Sequence, residues 1–152
     1  MVNMTNNTLP RIFFVVLVSS CALFLSSCAS APTADTDAGQ KELADKWGIQ
    51  VESVRLTAGN YMVDLRYRVL DAEKAARVIT PRINPYLIDQ ASGAKFVVPS
   101  PPRIGPLRQT RSPQIAGKSY FIFFANPGQY IKPGNKVTMI LNDVRIENLA
   151  VQ

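Results

Sequence analysis

Residues 61–69 read YMVDLRYRV. Tyr61, Val63, Leu65, Tyr67 and Val69 alternate with Met62, Asp64, Arg66 and Arg68, and a period of two gives an extended strand one dry face and one wet face. Ala58-Gly59-Asn60 supplies a turn before it. Ile49 to Thr57 also alternates, but its apolar phase moves from Ile49 and Val51 to Val54 and Leu56. A β-bulge near Glu52-Ser53 accounts for the move. On the other side, DAEKAARVI (71–79) joins a capping Asp to helix formers and predicts one or two helical turns, ended by Thr80-Pro81.

Strand signals continue to the C-terminus. Pro85–Asp89 and Lys95–Val98 read as a hairpin joined through Gln90-Ala91-Ser92-Gly93. SYFIFFA (119–125) is apolar on both faces, which predicts a central strand with Phe121, Phe123 and Phe124 all buried. Val137, Met139 and Leu141 share a face. A two-residue turn at Asn142-Asp143 would pair Leu141 with Val144 and Met139 with Ile146; the alternative is one long strand with a bulge. Seven or so short strands separated by Pro/Gly turns give an all-β fold, an immunoglobulin-like antiparallel β-sandwich with one or two short helices. A small open β-barrel is the alternative. Trp47, the one tryptophan, is expected to plug an end of the sandwich as a core anchor.

The N-terminus reads differently. IFFVVLVSSCALFL (12–25) is a run of 14 largely apolar residues after Arg11. A membrane-spanning helix needs about 20, so this is the length of a secretory signal. It ends in Leu25-Ser26-Ser27-Cys28, which matches the bacterial lipobox: an aliphatic residue, two small residues and the cysteine whose thiol takes the lipid. Val18-Ser19-Ser20-Cys21 fits less well, because it leaves only the run from Ile12 to Val18 before the cut. A short membrane anchor with incidental cysteines is the other reading. The expected organisation is a signal peptide over 1–27, a lipidated flexible tether over 28–40 and the β-sandwich over 41–152. Lys41–Trp47 is expected to be a short helix capped by Thr36 or Asp37 and stopped by Gly48. Ala29, rather than aspartate, after the cysteine points to the outer membrane, facing the periplasm.

The composition narrows the chemistry. The chain has 152 residues, no histidine and 2 cysteines, so Ser-His-Asp and Cys-His catalysis and the usual zinc sites are ruled out. Cleavage at Cys28 would remove Cys21, and the Cys28 thiol is expected to be acylated, leaving no thiol for a disulfide. Asp64, Asp143 and Glu147 are the carboxylates weighed for acid–base or calcium chemistry, and nothing in their spacing joins them. No catalytic residue, metal or cofactor is assigned.

The runs WGIQVESVRLTAGNYMVDLRYRVLDAEKA and SYFIFFANPGQYIKPGNKVTMILNDVRIENLAV resemble a group of small, uncharacterised lipoproteins from Gram-negative bacteria, over about Lys41 to Gln152. The resemblance implies an envelope location and a β-sandwich fold, and no activity. Charge is the one uneven feature. Gln90 to Asn142 holds seven basic residues and no acid: Lys95, Arg103, Arg108, Arg111, Lys118, Lys132 and Lys136. Arg103, Arg108, Arg111 and Lys118 fall on or beside a loop stiffened by Pro99, Pro101, Pro102, Pro106 and Pro113, where side chains can meet an anionic partner. Candidate partners are anionic lipid, lipopolysaccharide phosphate or an acidic protein face of the envelope; the export signal disfavours nucleic acid. The expected function is a lipid-anchored, non-enzymatic binding or scaffolding module. The rivals are a small ligand-binding or hydrolytic lipoprotein with a cleft between loops, and a complex subunit that offers a sheet edge.

Overall fold

Strands form where the sequence alternates. The computed structural model describes residues 34–109 and 113–152, so Cys21, Cys28 and Arg111 lie outside the described residues. The strands are β1 (Ile49–Thr57), β2 (Met62–Val69), β3 (Tyr86–Asp89), β4 (Lys95–Val97), β5 (Ser119–Ala125), β6 (Lys136–Leu141) and β7 (Val144–Ala150). They make two antiparallel sheets, ordered β1-β2-β5 and β4-β3-β6-β7. The chain crosses between sheets after β2, β4 and β5, which is the Greek-key logic of an immunoglobulin-like sandwich. The sheets stay separate, so the barrel alternative does not form.

The core sits between them. Val63, Leu65, Tyr67 and Val69 of β2 are buried, and they face Leu87, Phe96, Met139 and Leu141 of the other sheet. The register of β1 against β2 shifts between Val51 and Ser53, with Glu52 as the extra residue. That bulge turns both halves of β1 inward. Leu141 pairs with Val144 and Met139 with Ile146. Asn142 takes φ +54° at the turn, the left-handed backbone that a tight hairpin demands and Asn tolerates. Tyr61 departs from the alternation: β2 begins one residue later, and the ring is 58% exposed.

The reading of β5 as a central strand is corrected. It is the edge of its sheet, paired with β2 alone along its length. Its other side is covered by the loop from β4, which adds an isolated bridge at Arg108–Ile122. Phe123 N–H donates to the Leu107 carbonyl at 2.9 Å and Gln109 N–H to the Phe121 carbonyl at 3.0 Å. This cover protects an edge that would otherwise invite pairing with another chain. Phe124 is buried, but Phe121 and Phe123 are only half-buried. Their rings lie 4.8 Å apart on the outer face, with the Arg66 guanidinium 5.7 Å from the Phe121 ring centre.

Two α-helices are described. α1 runs Ala34–Trp47, so the helix reaches back to residue 34 and takes in residues read from sequence as tether. α2 is a single turn, Ala72–Ala75, capped by the Asp71 carboxylate, which accepts from the Glu73 and Lys74 N–H groups. Gly48 joins α1 to β1 with φ +63°, and a Cβ there would lie 2.7 Å from Asp71 Cβ and carbonyl oxygen. Its carbonyl accepts from Leu70 N–H and Asp71 N–H.

These bonds define a distal end of the sandwich, with Gly48, the β2–β3 and β4–β5 connections and the β6–β7 turn. The proximal end carries the turn at 58–61, the β3–β4 turn and the β5–β6 loop. α1 leaves the distal end and runs back along β1 and β7. Leu43 and Trp47 line one cleft with Val144 and Ile146, and Gln40 lines another with Val51, Val54 and Leu149. The Gln40 side chain accepts from Val51 N–H at 3.1 Å, and Leu43 is buried. From Gln40 to Ala34 the helix rises about 9 Å, less than half of the roughly 20 Å that β1 travels from Val51, the residue bonded to Gln40, to Thr57. Trp47 is half-buried against the core.

Candidate functional site

The flank of the sandwich beside β4 holds a cleft of about 460 Å³. Strand alternation builds one wall. Phe96 points into the core, so Lys95 and Val97 point outward with Tyr86 of the adjoining strand. The Lys95 ammonium lies 3.6 Å from the centre of the Tyr86 ring, a cation–π contact that holds the chain against the sheet. Val98, Ser100, Pro106 and Arg108 of the β4–β5 loop form the other wall. That loop is closed by Leu107 N–H donating to the Pro99 carbonyl at 3.0 Å.

Among the described residues, the lining of the cleft has two cations, Lys95 and Arg108, and no carboxylate. Arg108 is not free. Its guanidinium donates to the Ile83 carbonyl and, at 2.9 Å, to the Pro81 carbonyl. Burial lowers its pKa from the usual arginine value. Arg108 therefore ties the β4–β5 loop to the β2–β3 connection and presents positive charge from a fixed position. The Tyr67 phenol lies in its field. Tyr67 is fully buried and stacked on Tyr120 with centroids 5.7 Å apart, and its hydroxyl finds no hydrogen-bond partner among the described residues. Burial pushes its pKa well above the usual tyrosine value, and the Tyr120 phenol adds to the rise.

The basic residues singled out from sequence do not form one patch. Arg103 is exposed in the turn where Ile104 and Gly105 N–H groups donate to the Pro101 carbonyl. Lys118 is exposed at the distal end, beside a smaller cleft with Gln109, Ile115 and Tyr120. Arg108 bridges to Ile122, and Lys118 sits four residues before Ile122, or roughly 13 Å along the strand. Arg111 lies outside the described residues, as does Cys28. The loop was expected to leave Arg108 able to meet a partner, and its guanidinium is instead held by acceptors from a different connection.

The carboxylates are spread out too. Asp64 pairs with Arg66 at 2.9 Å and Glu147 with Arg145 at 3.1 Å, while Asp143 accepts from the Asn142 amide at 2.7 Å. Glu52 pairs with Arg68 at 2.6 Å. The Ser119 hydroxyl first, and then Arg68, hold its carboxyl below the usual range. Tyr86, Lys95 and Val97 are residues of the cleft that sequence reasoning did not single out as a site. The alternation in YLID and KFV carries the signal, since it puts Tyr86, Lys95 and Val97 on one outward face.

Comparison with known proteins adds no name: no family model, curated protein or solved structure matches the chain.

Proposed function

We propose that this chain is a lipid-anchored binding module of the Gram-negative cell envelope. Cys28 carries the lipid in the outer membrane, the sandwich faces the periplasm, and its cargo is an acidic protein segment rather than a substrate to be turned over. The observation that carries the reading is the cleft of Tyr86, Lys95 and Arg108, which has cations and an aromatic wall but no carboxylate in its lining. Val97, 53% exposed beside it, adds apolar surface.

The free edge of β4 supports a protein partner over a lipid one. Asp89 N–H donates to the Ala94 carbonyl, and Gln90 N–H donates to the Lys136 carbonyl. Alternation then pairs the Phe96 backbone with Leu87 and turns the N–H and C=O groups of Lys95 and Val97 outward. An extended acidic segment can use both those groups and the cations.

The test measures binding of a labelled oligoglutamate peptide, lipopolysaccharide and anionic vesicles to the purified protein. Oligoglutamate should bind, and Lys95→Gln should weaken binding about twofold, given some 0.5 kcal/mol per exposed pair. Binding should also fall with salt. Binding of lipopolysaccharide alone, or equal binding by the variant, would overturn the reading.

A further inference from the structure

β4 has only 3 residues, Lys95–Val97, and lies at one edge of its sheet. Its alternation fixes what a neighbouring strand would meet. Phe96 faces the core and pairs with Leu87 of β3. Lys95 and Val97 are exposed on the outer face, and they turn their N–H and C=O groups away from β3. Each position that can bond a new strand therefore also carries a side chain of its own chemistry, one cationic and one aliphatic.

The strand pairs of both sheets are antiparallel, and a parallel strand is slightly less stable per residue. An antiparallel strand on this edge exchanges both backbone bonds with Lys95 through one residue. It exchanges both with Val97 through another, two positions earlier in its own chain. Side chains directly opposed on one face of such a pair touch. The residue across from Lys95 is then acidic, and the residue across from Val97 is aliphatic. The Lys95 ammonium is drawn back over the Tyr86 ring, 3.6 Å from its centre, so glutamate reaches it better than the shorter aspartate.

A second copy of this chain does not fit the edge. Its own β4 reads Lys-Phe-Val, so antiparallel pairing sets its lysine across from Val97 and its valine across from Lys95. The cation gains no counter-charge, and a register shifted by two sets lysine against lysine. Lysine on a short edge strand guards against such self-pairing. The geometry points to a partner of another sequence: an extended segment reading aliphatic–x–glutamate, added antiparallel to β4, with its glutamate on Lys95 and its aliphatic residue on Val97. This rests on the reading that the chain takes an acidic protein segment beside β4, and it adds the order of residues within that segment.

The test measures binding of three threonine-flanked peptides of one composition to the purified full-length protein. Their cores are Val-Thr-Glu, Glu-Thr-Val and Thr-Val-Glu. Adjacent residues of a strand face opposite ways, so the third core can satisfy Lys95 or Val97 but not both. Val-Thr-Glu should bind about threefold more tightly than either isomer, the size of effect that cross-strand pairs produce. With Lys95→Glu the order should hold and the charge invert, so that Val-Thr-Lys overtakes Val-Thr-Glu. Tighter binding of Glu-Thr-Val, three isomers that bind alike, or a Lys95→Glu protein that still prefers Val-Thr-Glu overturns the pattern. Oligoglutamate separates this inference from the reading beneath it. If oligoglutamate binds while the isomers bind alike, the residue order alone falls; if no acidic peptide binds, the acidic cargo falls with it.

Discussion

Tyr67 places a polar hydroxyl deep in the core. It is fully buried and unpaired among the described residues, and an unsatisfied buried polar group costs about 1–3 kcal/mol. Tyr67→Phe should therefore raise stability by about 1 kcal/mol in a thermal or urea melt, and a loss of stability would show that the hydroxyl has an unseen partner. The pH dependence follows from the raised pKa. A phenol that stays protonated longer in the folded state stabilises it fully below the ordinary value of 10.0. That contribution is lost as pH climbs above 10, because the unfolded phenol ionises first. Melts of Tyr67→Phe should lose that part of the alkaline slope. Asn126 is the opposite case. It is buried with its amide fully used, and Asn126→Ala should cost about 2–4 kcal/mol by leaving the Asn60 and Ile131 backbone groups unpaired.

Among the elements, β5 separates what the sequence reveals from what it hides. Phe124 points into the core, so Phe124→Ala should cost about 3–5 kcal/mol. Phe123→Ala, on the outer face, should cost less than half as much by the same melts; equal losses would mean that both faces of β5 are equally dry. The strand 61–69 was legible because one of its faces is wet, and the bulge at Glu52 because a phase shift leaves a mark in the pattern. β5 was misread because an edge strand covered by residues 107–109 has the composition of a central one. Arg108 could not be read, since its acceptors Pro81 and Ile83 are distant in sequence and carbonyls carry no signature. The early start of α1 was hidden for a similar reason. ADTDAGQ has no apolar stripe, and the helix is held through Gln40 and Leu43 farther along.

At the scale of the whole molecule, the proposed anchor sets the first test. Processing is the first thing to check: lipid-labelled cells should yield a modified peptide beginning at Cys28, and Cys28→Ala should release the protein from the membrane fraction. Normal fractionation of that variant would reject the anchor. The antiparallel path of α1 then has a mechanical consequence. If a partner grips the cleft by Lys95 while the lipid holds the other side of Ala34, tension enters at the start of the helix and leaves through the sheets. It runs along the helix axis, so the contacts of Leu43 and Trp47 with β7 are loaded in shear, all at once. A helix leaving from the distal end would instead be peeled off one contact at a time. With Gly48 wired this way, a domain so anchored and so loaded would act as a fastener, resisting removal by what it holds.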